Sequence, residues 1–143
     1  MRPARHSTLK SVFAVFLVLG LAATIPPARA QNYKFKVLHT FRGKDGWLPT
    51  GQLIRDADGD LYGVTEGGGS GKCLGLGCGT VFEMNSAGKL VWSYSFHGKD
   101  GFGPQAGVLR DAKGNFYGTT VDGGILNCPE QGNYGCGVLF KLD

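Results

Sequence analysis

Short apolar segments separated by turn residues occupy most of the chain after residue 30. Residues 90–96 alternate large apolar side chains with smaller or polar ones, a pattern typical of a strand with one less-buried face. The pairs Leu53-Ile54, Leu61-Tyr62, Val108-Leu109 and Phe116-Tyr117 suit strands covered on both faces. No useful helical period occurs after residue 30. The pattern therefore predicts an all-β domain.

Three turns of one chemistry divide these segments into hairpins. Each begins with Asp or Asn and has Gly fourth, as in a type I turn followed by a bulge. The turns are 56–59, 85–88 and 111–114. The predicted strands are 33–41, 52–55, 60–65, 80–85, 89–96, 107–110, 115–120 and 138–142.

An internal duplication organises this domain. A shift of 55 residues places Gly-Lys-Asp-Gly at 43–46 on the same tetrapeptide at 98–101, and Cys73 on Cys128. After three extra residues in the second copy, Cys78 matches Cys136. The copies cover roughly 37–91 and 92–143 of a domain predicted to span 31–143.

Four strands per copy, with a half-covered outer strand, predict two four-stranded propeller-like blades in an incomplete ring. The alternative is a small β-sandwich of two hairpin sheets. The predicted strand 33–41 matches the fourth strand of a blade, and the chain reaches only the third strand of the second unit. We therefore expect either a homo-oligomer of two to four chains, in which 33–41 pairs with 138–142 of a neighbour, or additional repeats that complete the ring.

The first 30 residues have the features of a signal peptide. Basic residues precede an apolar run at 12–25, and a small-x-small site predicts cleavage between Ala30 and Gln31. The run is shorter than the roughly 20 residues of a membrane span. An uncleaved anchor helix is the alternative. We expect an exported protein in the periplasm, at the cell surface or outside the cell, with no membrane attachment after cleavage.

Charge excludes one class of partner. The chain has 15 Lys plus Arg and 11 Asp plus Glu. Arg2, Arg5, Lys10 and Arg29 lie in the predicted signal, so the mature protein has no net charge and no broad basic surface for nucleic acid.

Each copy contains one cysteine pair at the same place. In an oxidising compartment, Cys73 with Cys78 and Cys128 with Cys136 are expected to form local disulfides that pin the Gly-rich loops 67–79 and 123–137. A four-cysteine zinc site is the alternative, but its close-pair spacing is absent.

The repeated motifs resemble those of the tandem GloVer repeat found in choice-of-anchor tandem repeat GloVer-containing proteins. The resemblance is carried by Gly-Lys-Asp-Gly with a following Pro, Leu-Tyr-Gly-x-Thr before Gly-Gly, and Gly-Thr-Val-Phe-Glu-Met, and it covers nearly all of residues 37–143. It implies a secreted, repeat-built bacterial β-protein. Relatives usually have more copies, so a truncated fragment of a longer repeat protein is an alternative.

Catalytic and metal-binding motifs are weak. Asp56, Asp58 and Asp60 resemble the start of a calcium loop, but Leu61 and Gly67 replace its required Gly and Glu. No convincing nucleophile or phosphate-binding loop is present. We predict no metal, no cofactor and no enzymatic activity. A secreted carbohydrate-active hydrolase using Asp45 and Asp100 is the alternative.

The repeated loops 43–49 and 98–104 are the candidate binding sites. Each presents Lys and Asp beside an aromatic residue, an arrangement that suits glycan or peptide ligands. Alternatively, the turn only connects strands and the aromatic residue packs. The candidate ligand-binding residues are Lys44, Asp45, Trp47, Lys99, Asp100 and Phe102. The predicted function is a secreted binding or structural module.

Overall fold

The computed structural model describes residues 32–125, 127–129 and 134–143. Residues Phe35–Asp143 form one compact unit, and Met1–Lys34 form a separate unit. The predicted cleavage site at Ala30 and Gln31 lies outside the described residues. Among the residues described, no helix is both long enough and apolar enough to cross a membrane.

The compact unit contains two antiparallel sheets, which confirms the all-β prediction. The first sheet has the order β1-β2-β3-β4 and the second has the order β5-β6-β7. A short 3₁₀ helix at Cys73–Gly75 lies between β2 and β3. The strands are β1 (Trp47–Arg55), β2 (Leu61–Gly67), β3 (Thr80–Met84), β4 (Leu90–Ser95), β5 (Leu109–Arg110), β6 (Phe116–Thr120) and β7 (Val138–Leu142).

The Asx turns connect neighbouring strands as the sequence predicts. Between β1 and β2, Asp56 Oδ1 accepts hydrogen bonds from the backbone N–H groups of Asp58 at 3.1 Å and Asp60 at 2.9 Å. Gly59, at φ +90°, donates to the Asp56 carbonyl. Asp111 accepts equivalent bonds between β5 and β6. These aspartates are therefore hydrogen-bonded within turns.

The hydrophobic core lies between the two sheets. Tyr62 of β2 contacts Phe116 of β6, with ring centroids 4.9 Å apart. Phe96, which follows β4, contacts Phe140 of β7 at 5.1 Å. All four rings are buried. Burial of a large apolar side chain contributes about 1.5–3 kcal/mol, so this interface holds the two repeats together.

Within the two sheets, the structure differs from the predicted pattern at three places. β1 begins at Trp47, five residues before the predicted start, and it has a register shift between Thr50 and Ile54. β5 has only two residues. Leu53 and Leu109, predicted to be covered, are 53% and 74% exposed because each sheet has a face that the other sheet does not reach.

The predicted strand 33–41 is not a strand in the structure. Residues 35–41 lie against the first sheet through side chains: Phe41 contacts Phe82 of β3 with ring centroids 5.2 Å apart. This segment resembles β4 in sequence, but among the described residues it has no strand ladder beside it. The second sheet has three described strands, in agreement with the expectation that the second unit reaches only its third strand.

Candidate functional site

The Lys-Asp-Gly turn has the same hydrogen bonds in both copies. In the first, Asp45 accepts from the Arg42 backbone N–H at 2.7 Å and from His39 Nε2 at 2.8 Å. In the second, Asp100 accepts from the His97 backbone N–H at 2.7 Å and from the Tyr94 hydroxyl at 2.5 Å. The carboxylates therefore hold the turns in shape.

The charge state of these carboxylates follows from their contacts. Partial burial opposes ionisation, but the His39 and Arg42 hydrogen bonds hold the pKa of Asp45 below its usual value. The Tyr94 and His97 hydrogen bonds similarly lower the pKa of Asp100 against the effect of burial. The hydrogen bond to Asp100 and, second, burial raise the pKa of Tyr94 to about 12. Both aspartates are anions at neutral pH and are poorly suited to donate a proton.

Each turn is attached to the Gly-rich loop of its own copy through the main chain. Gly69 N–H donates to the Gly43 carbonyl at 2.8 Å, and Gly124 N–H donates to the Gly98 carbonyl at 2.9 Å. Gly46, at φ +124°, would place a Cβ 2.5 Å from the side chain of buried Thr65. Only glycine fits there without rearrangement.

A disulfide closes each Gly-rich loop, as the sequence predicts. Cys73 is bonded to Cys78, with Cα atoms 5.0 Å apart, and Cys128 is bonded to Cys136, with Cα atoms 5.3 Å apart. These bonds consume all four thiols, so the zinc alternative lacks its thiolate ligands. Within the described part of the chain, no group of three or more His, Cys, Asp or Glu side chains could hold a metal ion.

The aromatic residues of the two candidate loops occupy different environments. Trp47 is 37% exposed, and its Nε1–H donates to the Leu76 carbonyl at 3.0 Å. Phe102 is half-buried against the core, and its backbone pairs with Asp122. Lys44 and Lys99 are exposed. The first copy therefore presents an accessible aromatic side chain three residues after an exposed lysine, whereas the second packs its aromatic residue.

We define the Trp47 surface as the exposed side chains on the two segments that the Trp47–Leu76 hydrogen bond joins. Both segments contain an exposed leucine in the left-handed region, Leu48 and Leu74, each at φ 51°. This conformation is unfavourable for leucine. The surface comprises Lys44, Trp47, Leu48, Leu74 and Leu76.

A contact between Ser70 and His97 was missed by sequence reasoning. Ser70 Oγ lies 3.3 Å from His97 Nε2, and His97 Nδ1 lies 3.8 Å from Asp100 Oδ2. The order resembles a serine hydrolase triad, but the second distance exceeds a hydrogen bond and the His97 side chain is 60% exposed. Ser70 and His97 lie 27 residues apart. No short motif could have revealed their contact.

Two copies of one hairpin pattern, each with a disulfide-closed loop against a Lys-Asp-Gly turn, define a repeat-built β-protein. The chain belongs to the Gloeobacter/Verrucomicrobia repeat family, whose model matches residues 24–143. This match confirms the resemblance found in the sequence. No curated protein and no solved structure matches the chain.

Proposed function

We propose that this protein is an exported repeat module that acts by binding, in the periplasm, at the cell surface or outside the cell. The two disulfides support export because such bonds persist in oxidising compartments. The predicted signal peptide supports the same assignment.

The contrast between the aspartates and Trp47 carries the proposal. Asp45 and Asp100 accept hydrogen bonds from residues that precede their turns, so a structural role for these carboxylates is favoured over a role in glycoside hydrolysis. Trp47 keeps over a third of its surface accessible, although its indole N–H is already bonded. An aromatic face of this kind can stack on the apolar face of a sugar ring, with Lys44 available to hydroxyl or acidic groups. The proposed ligand class is therefore a glycan.

A glycan array probed with the exported protein tests this function. Trp47→Ala should abolish retention on the array, whereas Trp47→Phe should keep most of it because an aromatic face remains. Val91→Ser is the matched control, since Val91 is 54% exposed and lies on β4. Glycan binding that survives Trp47→Ala would contradict the proposal. Binding of the protein to immobilised peptides but to no glycan would also contradict it.

The Ser70–His97 contact favours one second candidate, a hydrolase. Turnover of ester or glycoside substrates that disappears in Ser70→Ala, Asp45→Asn or Asp100→Asn would establish it in place of binding. We expect no turnover, because His97 is open to water and lacks a hydrogen-bonded carboxylate at Nδ1.

A further inference from the structure

We propose that the free edge and outer face of the second sheet bind a second copy of this chain, head to tail. This inference concerns assembly and does not depend on the proposed ligand. The repeat-equivalents of the buried interface residues stand exposed. Val81 of the first sheet is fully buried against the second sheet, whereas its equivalent Leu139 is 78% exposed. Ile54 packs on the core, whereas its equivalent Leu109 is 74% exposed.

The opposite face of the first sheet supplies the complementary surface. Inside the chain, Val108, Phe116 and Phe140 of the second repeat cover the first sheet. Their equivalents are Leu53, Leu61 and Phe82, which line a cleft of about 410 Å³ on the other side of the first sheet. Leu53 is 53% exposed and Leu61 is partly exposed, whereas Phe82 is buried and contacts Phe41. Each chain therefore has part of both halves of its internal interface on its outer surfaces, as a head-to-tail contact requires.

Residues 35–41 lie on the first sheet as β4 and its following residues lie on the second. Phe41 contacts Phe82 at 5.2 Å, and the equivalent Phe96 contacts Phe140 at 5.1 Å. His39 bonds to Asp45 in the way that Tyr94 bonds to Asp100. Residues 35–41 therefore already lie where the fourth strand of a neighbouring copy's second sheet would lie, packed on the first sheet of their own chain.

The missing neighbour of this segment is the outer edge of β7. Trp92 of β4 packs on Phe116 of the second sheet while β4 also pairs with β3, so the two kinds of contact are compatible. Among the described residues, neither the 35–40 backbone nor the outer edge of β7 has a strand partner. An open edge is a template for pairing with another chain. By the β3–β4 register, the pairs between copies are Val138 with Thr40, Leu139 with His39, Phe140 with Leu38, Lys141 with Val37 and Leu142 with Phe35.

Charge at the interface is also complementary. Inside the chain, Arg110 lies 3.6 Å from Asp56 and stacks over the Tyr62 ring at 5.0 Å. Arg55 of the first sheet is the repeat equivalent of Arg110. Asp111 and Tyr117 of the second repeat are the equivalents of Asp56 and Tyr62. In the assembly, Arg55 of one copy meets Asp111 and Tyr117 of the next. Both internal contacts of Arg110 therefore have an intermolecular counterpart in the assembly.

Two sheets per chain set the size of a closed assembly. Rings built from radially packed four-stranded sheets typically have about four to eight sheets, so the assembly should contain about two to four chains. Residues 35–40 of each copy would become the fourth strand of its neighbour's second sheet.

Light scattering on the exported protein at micromolar concentration tests the assembly with three variants. The head variant, Leu139→Glu, places a charge on the outer face of the second sheet. The tail variant is Val37→Pro with Leu38→Pro. Successive N–H groups of a strand alternate in direction, so the two prolines together remove at least one N–H group that would donate to β7 of the neighbouring copy. Val91→Glu is the control, since Val91 is 54% exposed and is equivalent to Lys36, which the proposed register leaves unpaired.

The unmodified protein and the control should be oligomers of two to four chains, and the head and tail variants should be monomers. Mixing the two variants should give a dimer, because one intact interface is then available. Circular dichroism melting of each variant establishes that the monomers are folded. An unmodified protein that is a folded monomer, or a mixture that fails to dimerise, would overturn the proposal.

Discussion

At the residue scale, the Lys-Asp-Gly turn depends on one ionised carboxylate with a fixed set of donors. Asp100 receives the His97 backbone N–H and the Tyr94 hydroxyl. Asp100→Asn keeps the size of the side chain but weakens both bonds, so we expect a loss of about 1–2 kcal/mol of unfolding free energy at neutral pH. His97→Ala is the matched control, because it keeps the backbone donor. An equal loss in that variant would show that the imidazole is the important group.

The hydrogen-bonded pair Asp100 and Tyr94 predicts how the stability of the protein depends on pH. The pKa of Asp100 in the folded protein is below its usual value of 3.8, so its contribution to stability is complete above that pH and is lost as the pH falls through the folded pKa. The pKa of Tyr94 is raised from 10.0 to about 12, so its contribution is present below pH 10 and is lost as the pH rises through that interval. Melting temperatures measured against pH should fall less steeply in acid for Asp100→Asn and less steeply in alkali for Tyr94→Phe. Unchanged slopes would contradict this account.

At the element scale, the two disulfide loops should differ in their contribution to stability. The chain-entropy model gives about 2 kcal/mol for short loops such as these. Cys78 is fully buried and its Sγ accepts the Cys73 backbone N–H, whereas Cys136 is exposed. Urea unfolding should show a larger loss for Cys73→Ala with Cys78→Ala than for Cys128→Ala with Cys136→Ala. Equal losses would mean that loop closure alone matters.

The strands and turns could be predicted from the sequence because their signals are local. The Asx turns need Asp or Asn first and Gly fourth, and this signature identified each hairpin. The start of β1 could not be predicted in this way. Leu48 at φ 51° and Gly51 at φ 70° interrupt the extended backbone, so Trp47 pairs with Gly67 outside any alternating pattern.

The candidate site was only partly predictable. The loops and their aromatic residues were identified, but the role of the aspartates was not, because it depends on donors outside the turn. A signal did exist: His39 and Tyr94 each precede their aspartate by six residues at equivalent repeat positions. The Ser70–His97 contact had no such signal, since it joins two repeats through the fold.

At the scale of the whole molecule, signal-peptide cleavage and disulfide formation both change the mass of the intact protein. We expect the exported protein to begin at Gln31 and to weigh four hydrogens less than its reduced form, because two disulfides are present. Intact mass spectrometry with and without reductant measures both quantities. A mass that includes residues 1–30 would contradict cleavage, and a peptide joining Cys73 to Cys128 would contradict the pairing.

Main-chain hydrogen bonds attach each Lys-Asp-Gly turn to its Gly-rich loop. Gly69 to Gly43 and Gly124 to Gly98 are backbone hydrogen bonds, so the identity of the outward-facing side chains does not enter them. Substitutions at Lys44 or Leu76 can therefore change the exposed surface of the loop while these backbone hydrogen bonds remain. The repeat is in this respect comparable to a display scaffold, in which main-chain hydrogen bonds form the frame and the exposed positions are open to a randomised library.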